Sequence, residues 1–211
     1  NEECKNLHLS SRNSTRVKTL LKGPRYIDYN LFGTVTGRLT TYSESFPILT
    51  VQKEFRKLLK PHNEWFLSLD YNAAEVRTFI ALAGEQQPQE DVHQWHIKNL
   101  IEGGLTREDA KTRFFAWLYN PEAADDEFNI YHREKLLDNW YDQGYIITKF
   151  KRRIPVSKRK ALNYLIQSTT ADLVMERADS LDTFLEDKKS FISHIVPVSY
   201  THLRAHETGR N

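Results

Sequence analysis

Only one cysteine, Cys4, occurs in the 211 residues, so no internal disulfide can form and a reducing compartment fits. No apolar run approaches the roughly 20 residues that a membrane-spanning helix needs. The opening residues are polar and charged, unlike a secretory leader. The chain starts at Asn1 rather than Met, which points to a fragment. Net charge is only +2, so any case for a polyanionic partner must rest on local patches. Internal repeats are lacking too. What is there suits one or two soluble globular domains with a sizeable core: 39% hydrophobic and 27% charged residues.

Residues 1–22 are polar and basic and read as a helix or partly ordered lead-in, broken by Gly23-Pro24. Residues 26–31 alternate like a strand. The stretch 33–41 is rich in Gly and Thr around one cation, Arg38. Its glycines let backbone approach a ligand, and Arg38 offers a fork of donors for a phosphate or a base edge; an ordinary hairpin turn is the plain alternative. Apolar positions at helical spacing predict a helix over 51–59. The run Trp65, Phe66, Leu67, Leu69 predicts a buried strand that delivers Asp70 to its end. A turn then leads into a helix over 73–83 carrying Glu75 and Arg77 and closed by Gly84. A carboxylate at a strand end, beside the Tyr71 carbonyl, suits a hard cation such as Mg²⁺, although Asp there also caps helices.

Asp91-Val92-His93 opens another helix. Over 106–120, Thr106 and Asp109 resemble a capping box. Arg107, Lys111 and Phe115 recur every fourth residue within an arc of about 80°, with Tyr119 on its edge. Two cations near a positive helix end suit a triphosphate, and the rings suit a flat base. The competing reading is an amphipathic helix with core rings and solvated cations.

Residues 131–141 predict a helix and 145–149 a strand. Residues 149–160 then hold seven basic side chains and no acid, a density suited to a nucleic-acid backbone. A long helix is predicted over 161–184, with Arg159, Asn163 and Gln167 forming a polar stripe on one face. Residues 190–196 predict another strand. From Pro197 the periodicity stops, and His202, His206 and Glu207 mimic a metal pair without a framework to hold it.

Together these stretches resemble a family A DNA polymerase, of the DNA polymerase I type, closer to bacteriophage-like members. The likeness covers 26–196. Thr36-Gly37-Arg38-Leu39 is similar to the element between thumb and palm whose Arg meets the primer end. Asp70-Tyr71-Asn72-Ala73-Ala74-Glu75-Val76-Arg77 is similar to motif A, with a metal-binding Asp and a Glu that crowds the sugar 2′ position. Asp91-Val92-His93 resembles the start of a fingers helix whose His meets the triphosphate. Arg107, Lys111, Phe115 and Tyr119 resemble motif B, and Arg159, Asn163 and Gln167 the palm helix that follows DNA. Ala73 departs from a usual Gln, and Asn120 from a usual Gly. After Val196 the family continues with His-Asp, whereas Pro197-Val198-Ser199 stands here. The tail 197–211 resembles translated adapter sequence and reads as foreign.

The resemblance implies a mixed α+β fold, a partial right hand with an antiparallel palm sheet and a helical fingers insertion. Its segments would be 1–22 lead-in or thumb end, 23–83 palm, 84–145 fingers, 146–196 palm and 197–211 tail. It implies nucleotidyl transfer from a dNTP to a primer 3′-hydroxyl on template DNA, with two Mg²⁺ ions. Asp70 and the Tyr71 carbonyl would bind metal. Lys111 would act catalytically on the pyrophosphate, and Tyr71, Glu75, His93, Arg107, Lys111, Phe115 and Tyr119 would bind the nucleotide. Arg38, Arg159, Asn163 and Gln167 would bind DNA. The setting implied is cytoplasmic, a bacterial cell or a phage-infected host, with any processivity factor left open. Lacking the second Asp, the chain is expected to be inactive. The rivals are a single-subunit RNA polymerase, against which Glu75 and Phe115 argue, and a non-catalytic nucleic-acid-binding protein using 149–160.

Overall fold

A computed structural model describes residues 11–51, 53–56, 59–62 and 64–196. The start of the expected lead-in and the tail from Pro197, with His202, His206 and Glu207, lie outside the described residues. Helix α1 (Ser11–Lys22) precedes two-residue strands β1 (Tyr29–Asn30) and β2 (Thr40–Thr41), which pair antiparallel with Tyr29 opposite Thr41. A single-turn helix, α2 (Lys53–Arg56), follows. Then come α3 (Ala74–Ala83), α4 (Val92–Asn99), α5 (Arg107–Tyr119), a 3₁₀ turn (Asp126–Tyr131) and α6 (Arg133–Trp140). Strands β3 (Tyr141–Asp142), β4 (Tyr145–Ile147) and β5 (Arg153–Pro155) form an antiparallel meander, and the long α7 (Lys158–Leu185) closes the order. The molecule is thus mixed α and β with small antiparallel sheets. Among the described residues no helix is long and apolar enough to cross a membrane.

Local chemistry sets the helix ends. Thr106 caps α5: its hydroxyl oxygen accepts from the Asp109 N–H and donates to the Asp109 carboxylate at 2.6 Å. Asp91 caps α4 by accepting from the His93 and Gln94 N–H groups. Gly84 ends α3 at φ 78°, a conformation glycine adopts without steric cost.

Packing then joins the helices. One cluster takes Val76, Phe79 and Ile80 from α3, and Phe114, Trp117 and Leu118 from α5. It also takes Phe128 and Tyr131 from the 3₁₀ turn, and Ala161, Leu162, Leu165 and Ile166 from α7. The spacing on α5 and α7 is that of a helix with one buried stripe. Segments 23–83, 84–145 and 146–196 therefore meet in a shared core. A smaller cluster holds Val17, Val51 and Phe55.

Two expected strands are corrected. Residues 65–70 form no strand and are exposed, with Trp65 and Leu67 each 84% accessible. Residues 191–196 are also without regular structure. The two stretches touch through rings, His62 against Phe191 and Phe66 against His194, yet no backbone hydrogen bond joins them. An apolar run becomes a buried strand only when a ladder and a covering layer exist, and neither is formed around 65–70. The helix expected over 51–59 is reduced to Lys53–Arg56 among the described residues. The long helix starts earlier and ends later than 161–184, at Lys158 and Leu185.

Candidate nucleotide and nucleic-acid site

Asp70 ends the apolar run and is exposed, as is Tyr71. The chain then turns a sharp corner at Ala73, which adopts φ 49° and ψ 49°. That left-handed conformation is unusual for a residue with a Cβ. Arg77 braces the corner. Its Nε donates to the Asn72 carbonyl at 3.0 Å, and its guanidinium donates to the carbonyls of Pro88 and Glu90 at 2.9 and 2.8 Å. The corner points Glu75, in the first turn of α3, into the interior, where it is 1% exposed.

Glu75 is fully engaged. One oxygen accepts from Arg38, and the other accepts from the Tyr119 hydroxyl at 2.7 Å. Burial, and then the neighbouring carboxylate charge, push the Tyr119 phenol well above its ordinary value, so it stays protonated and donating. Tyr119 stacks on Phe115 with ring centres 5.8 Å apart and planes 20° apart.

At the other end of α5, Arg107 makes a forked pair with Asp91, at 3.2 Å through Nε and 2.8 Å through Nη2. The same carboxylate accepts from the Asn72 side chain at 2.9 Å. Burial alone would raise the Asp91 carboxyl. The hydrogen bonds from Arg107, Asn72 and the helix backbone outweigh it and hold the group far below the carboxylate range. Arg107 also meets Glu108 at 2.9 Å, and Lys111 lies 3.7 Å from Glu108 with its side chain 33% exposed.

The sequence-predicted residues are thus partly assembled. Arg38, Glu75 and Tyr119 touch, and Phe115 is stacked beside them. Arg107 joins the Asp70 turn through Asp91 and Asn72. His93 is placed elsewhere than on an open binding face: it is 2% exposed and ringed by His96, Phe114 and Phe115, and its Nδ1 is buried without a hydrogen-bond partner. Burial pushes His93 down to about 4, with the Arg107 and Lys111 charges adding to the effect and Asp91 opposing it. Phe115 is only 6% exposed, so its ring is covered by its neighbours. A cavity of about 410 Å³ lies elsewhere, between the 31–39 loop and α7 beside Arg152 and Asp172.

The basic run is mostly open. Lys149, Lys151, Arg153, Lys158, Arg159 and Lys160 are exposed, and the Arg153 guanidinium lies 4.0 Å from the Tyr145 ring centre. Arg152 is withdrawn from it: it donates to Asp172 at 2.9 Å, to the Thr36 carbonyl at 2.9 Å and to the Ser168 carbonyl at 3.3 Å. Asn163 and Gln167 are half-buried on the α7 face one and two turns after Arg159.

Metal binding has a thinner basis. Asp70 and the Tyr71 carbonyl are hard oxygen donors of the right kind, but they are two where magnesium takes about six. Among the described residues no group of three or more His, Cys, Asp or Glu side chains is placed to hold an ion.

Sequence reasoning missed the second task of Asp91. Its helix-capping place was legible, but its pairing with Arg107 spans 16 residues and follows from how α4 and α5 pack. The grip of Arg152 on Thr36 spans 116 residues and left no local signal. No family model, no curated protein and no solved structure matches this chain.

Proposed function

We propose that the chain is the palm and fingers part of a template-directed DNA polymerase that adds dNTPs to a primer 3′-hydroxyl. One observation carries this reading. The α5 face bearing Arg107, Lys111, Phe115 and Tyr119 is tied to the Asp70–Glu75 stretch at both ends, through Asp91–Asn72 and through Glu75. Those anchors lie about 18 Å apart along the helix, enough to span a nucleoside triphosphate.

In the reaction the primer oxygen attacks the α-phosphorus of the dNTP, the bond to the β-phosphate oxygen breaks, and pyrophosphate leaves. The protein contributes mainly position and charge. Lys111 and Arg107 supply the cations for the phosphate oxygens, and Lys111 gives a proton to the departing pyrophosphate. Arg107 must first leave Asp91, and Phe115 must be uncovered before a base can stack on it. Glu75 would crowd a ribose 2′-hydroxyl once nucleotide binding opens the interior in which it now lies. Bound magnesium would be held by Asp70 and the Tyr71 carbonyl, together with triphosphate oxygens, and would offset the phosphate charge.

The test is nucleotide binding. Titrating dATP against tryptophan fluorescence should show Mg²⁺-dependent binding that Asp70→Ala abolishes. Binding indifferent to both magnesium and Asp70 would overturn the reading. Labelled dNTP incorporation at an ordinary polymerase rate would contradict the expectation that this chain binds without turnover.

The exposed cations of 149–160 support a second reading, a non-catalytic nucleic-acid-binding protein. It expects salt-dependent DNA binding with no response to Asp70→Ala or to nucleotide. A ribonucleotide polymerase is separated by Glu75→Ala, which should relax sugar selection only in a deoxynucleotide enzyme.

A further inference from the structure

The cavity of about 410 Å³ beside α7 is used by neither function above. It lies near the small end of ligand pockets, which run roughly 300–1,000 Å³. Leu31, Phe32, Val35 and Leu39 line it from the segment joining β1 to β2, and Met175 lines it from α7. Leu39 is buried and Met175 half-buried, whereas Leu31, Phe32 and Val35 keep 53%, 90% and 58% of their surface exposed. Apolar groups left in water beside a groove mark an interaction site.

The segment is braced in this open form. The Phe32 N–H donates to the Asn30 side chain at 3.0 Å, the Thr34 hydroxyl to the Arg38 carbonyl at 3.0 Å, and the Gly37 N–H to the Thr34 carbonyl at 3.1 Å. Arg152 holds the Thr36 carbonyl at 2.9 Å and pairs with Asp172 at 2.9 Å, which gives the groove a polar wall.

That wall is electrically neutral, because its cation and its carboxylate are paired. Charge comes from the hairpin tip that adjoins Arg152 in the chain. Lys149, Lys151 and Arg153 are exposed there, and no acid lies between 149 and 160. The tip is fixed, with the Thr148 N–H donating to the Arg152 carbonyl and the Lys151 N–H to the Thr148 carbonyl, both at 2.9 Å. On α7 the exposed Glu176 and Arg177, next to Met175, offset each other. The surroundings are therefore cationic, and a fitting partner is apolar and anionic at once. Single-stranded nucleic acid is held by bases stacked on aromatic rings. Here Leu31, Val35, Leu39 and Met175 are aliphatic and Phe32 is the one ring among the apolar lining. Such a surface, with its adaptable methionine, suits aliphatic side chains.

We propose that this groove docks an acidic, leucine-rich peptide segment of a partner protein. Its aliphatic side chains enter between the 31–39 segment and α7, and its carboxylates meet Lys149 and Lys151. No residue of the α5 face lines the groove, so docking does not depend on what that face binds.

The experiment follows the anisotropy of a fluorescein-labelled peptide, an aspartate block followed by a leucine block, titrated with the full chain. Saturable binding is expected, and replacing the aspartates by lysine or the leucines by serine should abolish it. Phe32→Ser combined with Val35→Ser should weaken binding about tenfold, and both side chains are exposed, so the fold is kept. Lys149→Ser combined with Lys151→Gly should weaken it severalfold and flatten its salt dependence. Glycine takes the φ of 62° at Lys151 without steric cost. An unchanged denaturation midpoint in each variant would tie these losses to the surface. The proposal is overturned by no saturable binding below roughly 1 mM, by equal binding of the lysine peptide, or by affinities that the variants leave unmoved. Tighter binding of fluorescein-labelled oligothymidylate than of the peptide would overturn it too, and assign the surface to nucleic acid. Asp70→Ala should leave peptide binding intact, so loss of Mg²⁺-dependent dATP binding alone would sink only the polymerase reading.

Discussion

The helical region 92–140 and the irregular stretches 64–71 and 191–196 both carry aromatic side chains, and the fold treats them in opposite ways. Phe114 is fully buried, stacked on His96 at 4.7 Å and edge-on to Phe79, Phe128 and Tyr131. Trp65 is 84% exposed and Phe191 is 56% exposed. The difference lies in the backbone. A helix closes its own N–H and C=O groups and needs a neighbour only for its apolar stripe. A segment outside a helix needs neighbours for its backbone as well as its side chains. Where α3, α5 and α7 supply each other's stripe, aromatic groups go inside. Where no ladder forms, a run as apolar as Trp65 to Leu69 stays in water.

That contrast can be broken at several points. Phe114→Ala should cost about 3–5 kcal/mol, because it removes a buried ring from the centre of the cluster. Urea denaturation monitored by tryptophan fluorescence would measure it, and a loss below about 1 kcal/mol would show the aromatic cluster to be loosely packed.

Acid should have the next largest effect. Burial lowers His93 to about 4 and His96 to about 3, against an ordinary value of 6.5. His96 also feels His93, and accepts or donates at 2.8 Å to Tyr131. Below pH 6.5 the unfolded chain takes up protons that the folded chain refuses, so stability falls with the pH. The loss should begin near pH 6.5 and continue down to about 4 for His93 and about 3 for His96. Denaturation midpoints across that range should drop, and His93→Phe should flatten the slope. A midpoint constant from pH 7 to pH 4 would exclude neutral buried histidines.

Thr106→Ala should cost about 1 kcal/mol through loss of the α5 cap, seen as a shift in the same denaturation midpoint. Leu67→Ser should change stability by no more than about 0.5 kcal/mol, since the side chain already faces water. A larger loss would mean that the 65–70 run is covered in solution, and the two regions would then be alike.

What could be read from the residues follows the same division. Helix ends at Asp91, Thr106 and Gly84 were legible because a cap is written within four residues. The arc of Arg107, Lys111, Phe115 and Tyr119 was legible because helical spacing fixes a face. Whether Phe115 faces a ligand or the core was not, since burial is decided by α4 lying across it. The strand at 65–70 was misread because an apolar run states a preference, and the pairing that would satisfy it lies in other parts of a chain. Glu75 was singled out for its side chain, yet nothing nearby announced Arg38 as its partner 37 residues away.

Arg152 shows how tertiary structure edits a count made from composition. Seven cations lie between 149 and 160, but the guanidinium at 152 is spent on bolting the turn at Thr36 to the long helix at Ser168 and Asp172. The neighbouring Gly37 leaves room for that bolt: a Cβ there would come within 2.8 Å of the guanidinium. Six exposed cations remain, and if all six met phosphates of duplex DNA the log–log salt slope would be about −5.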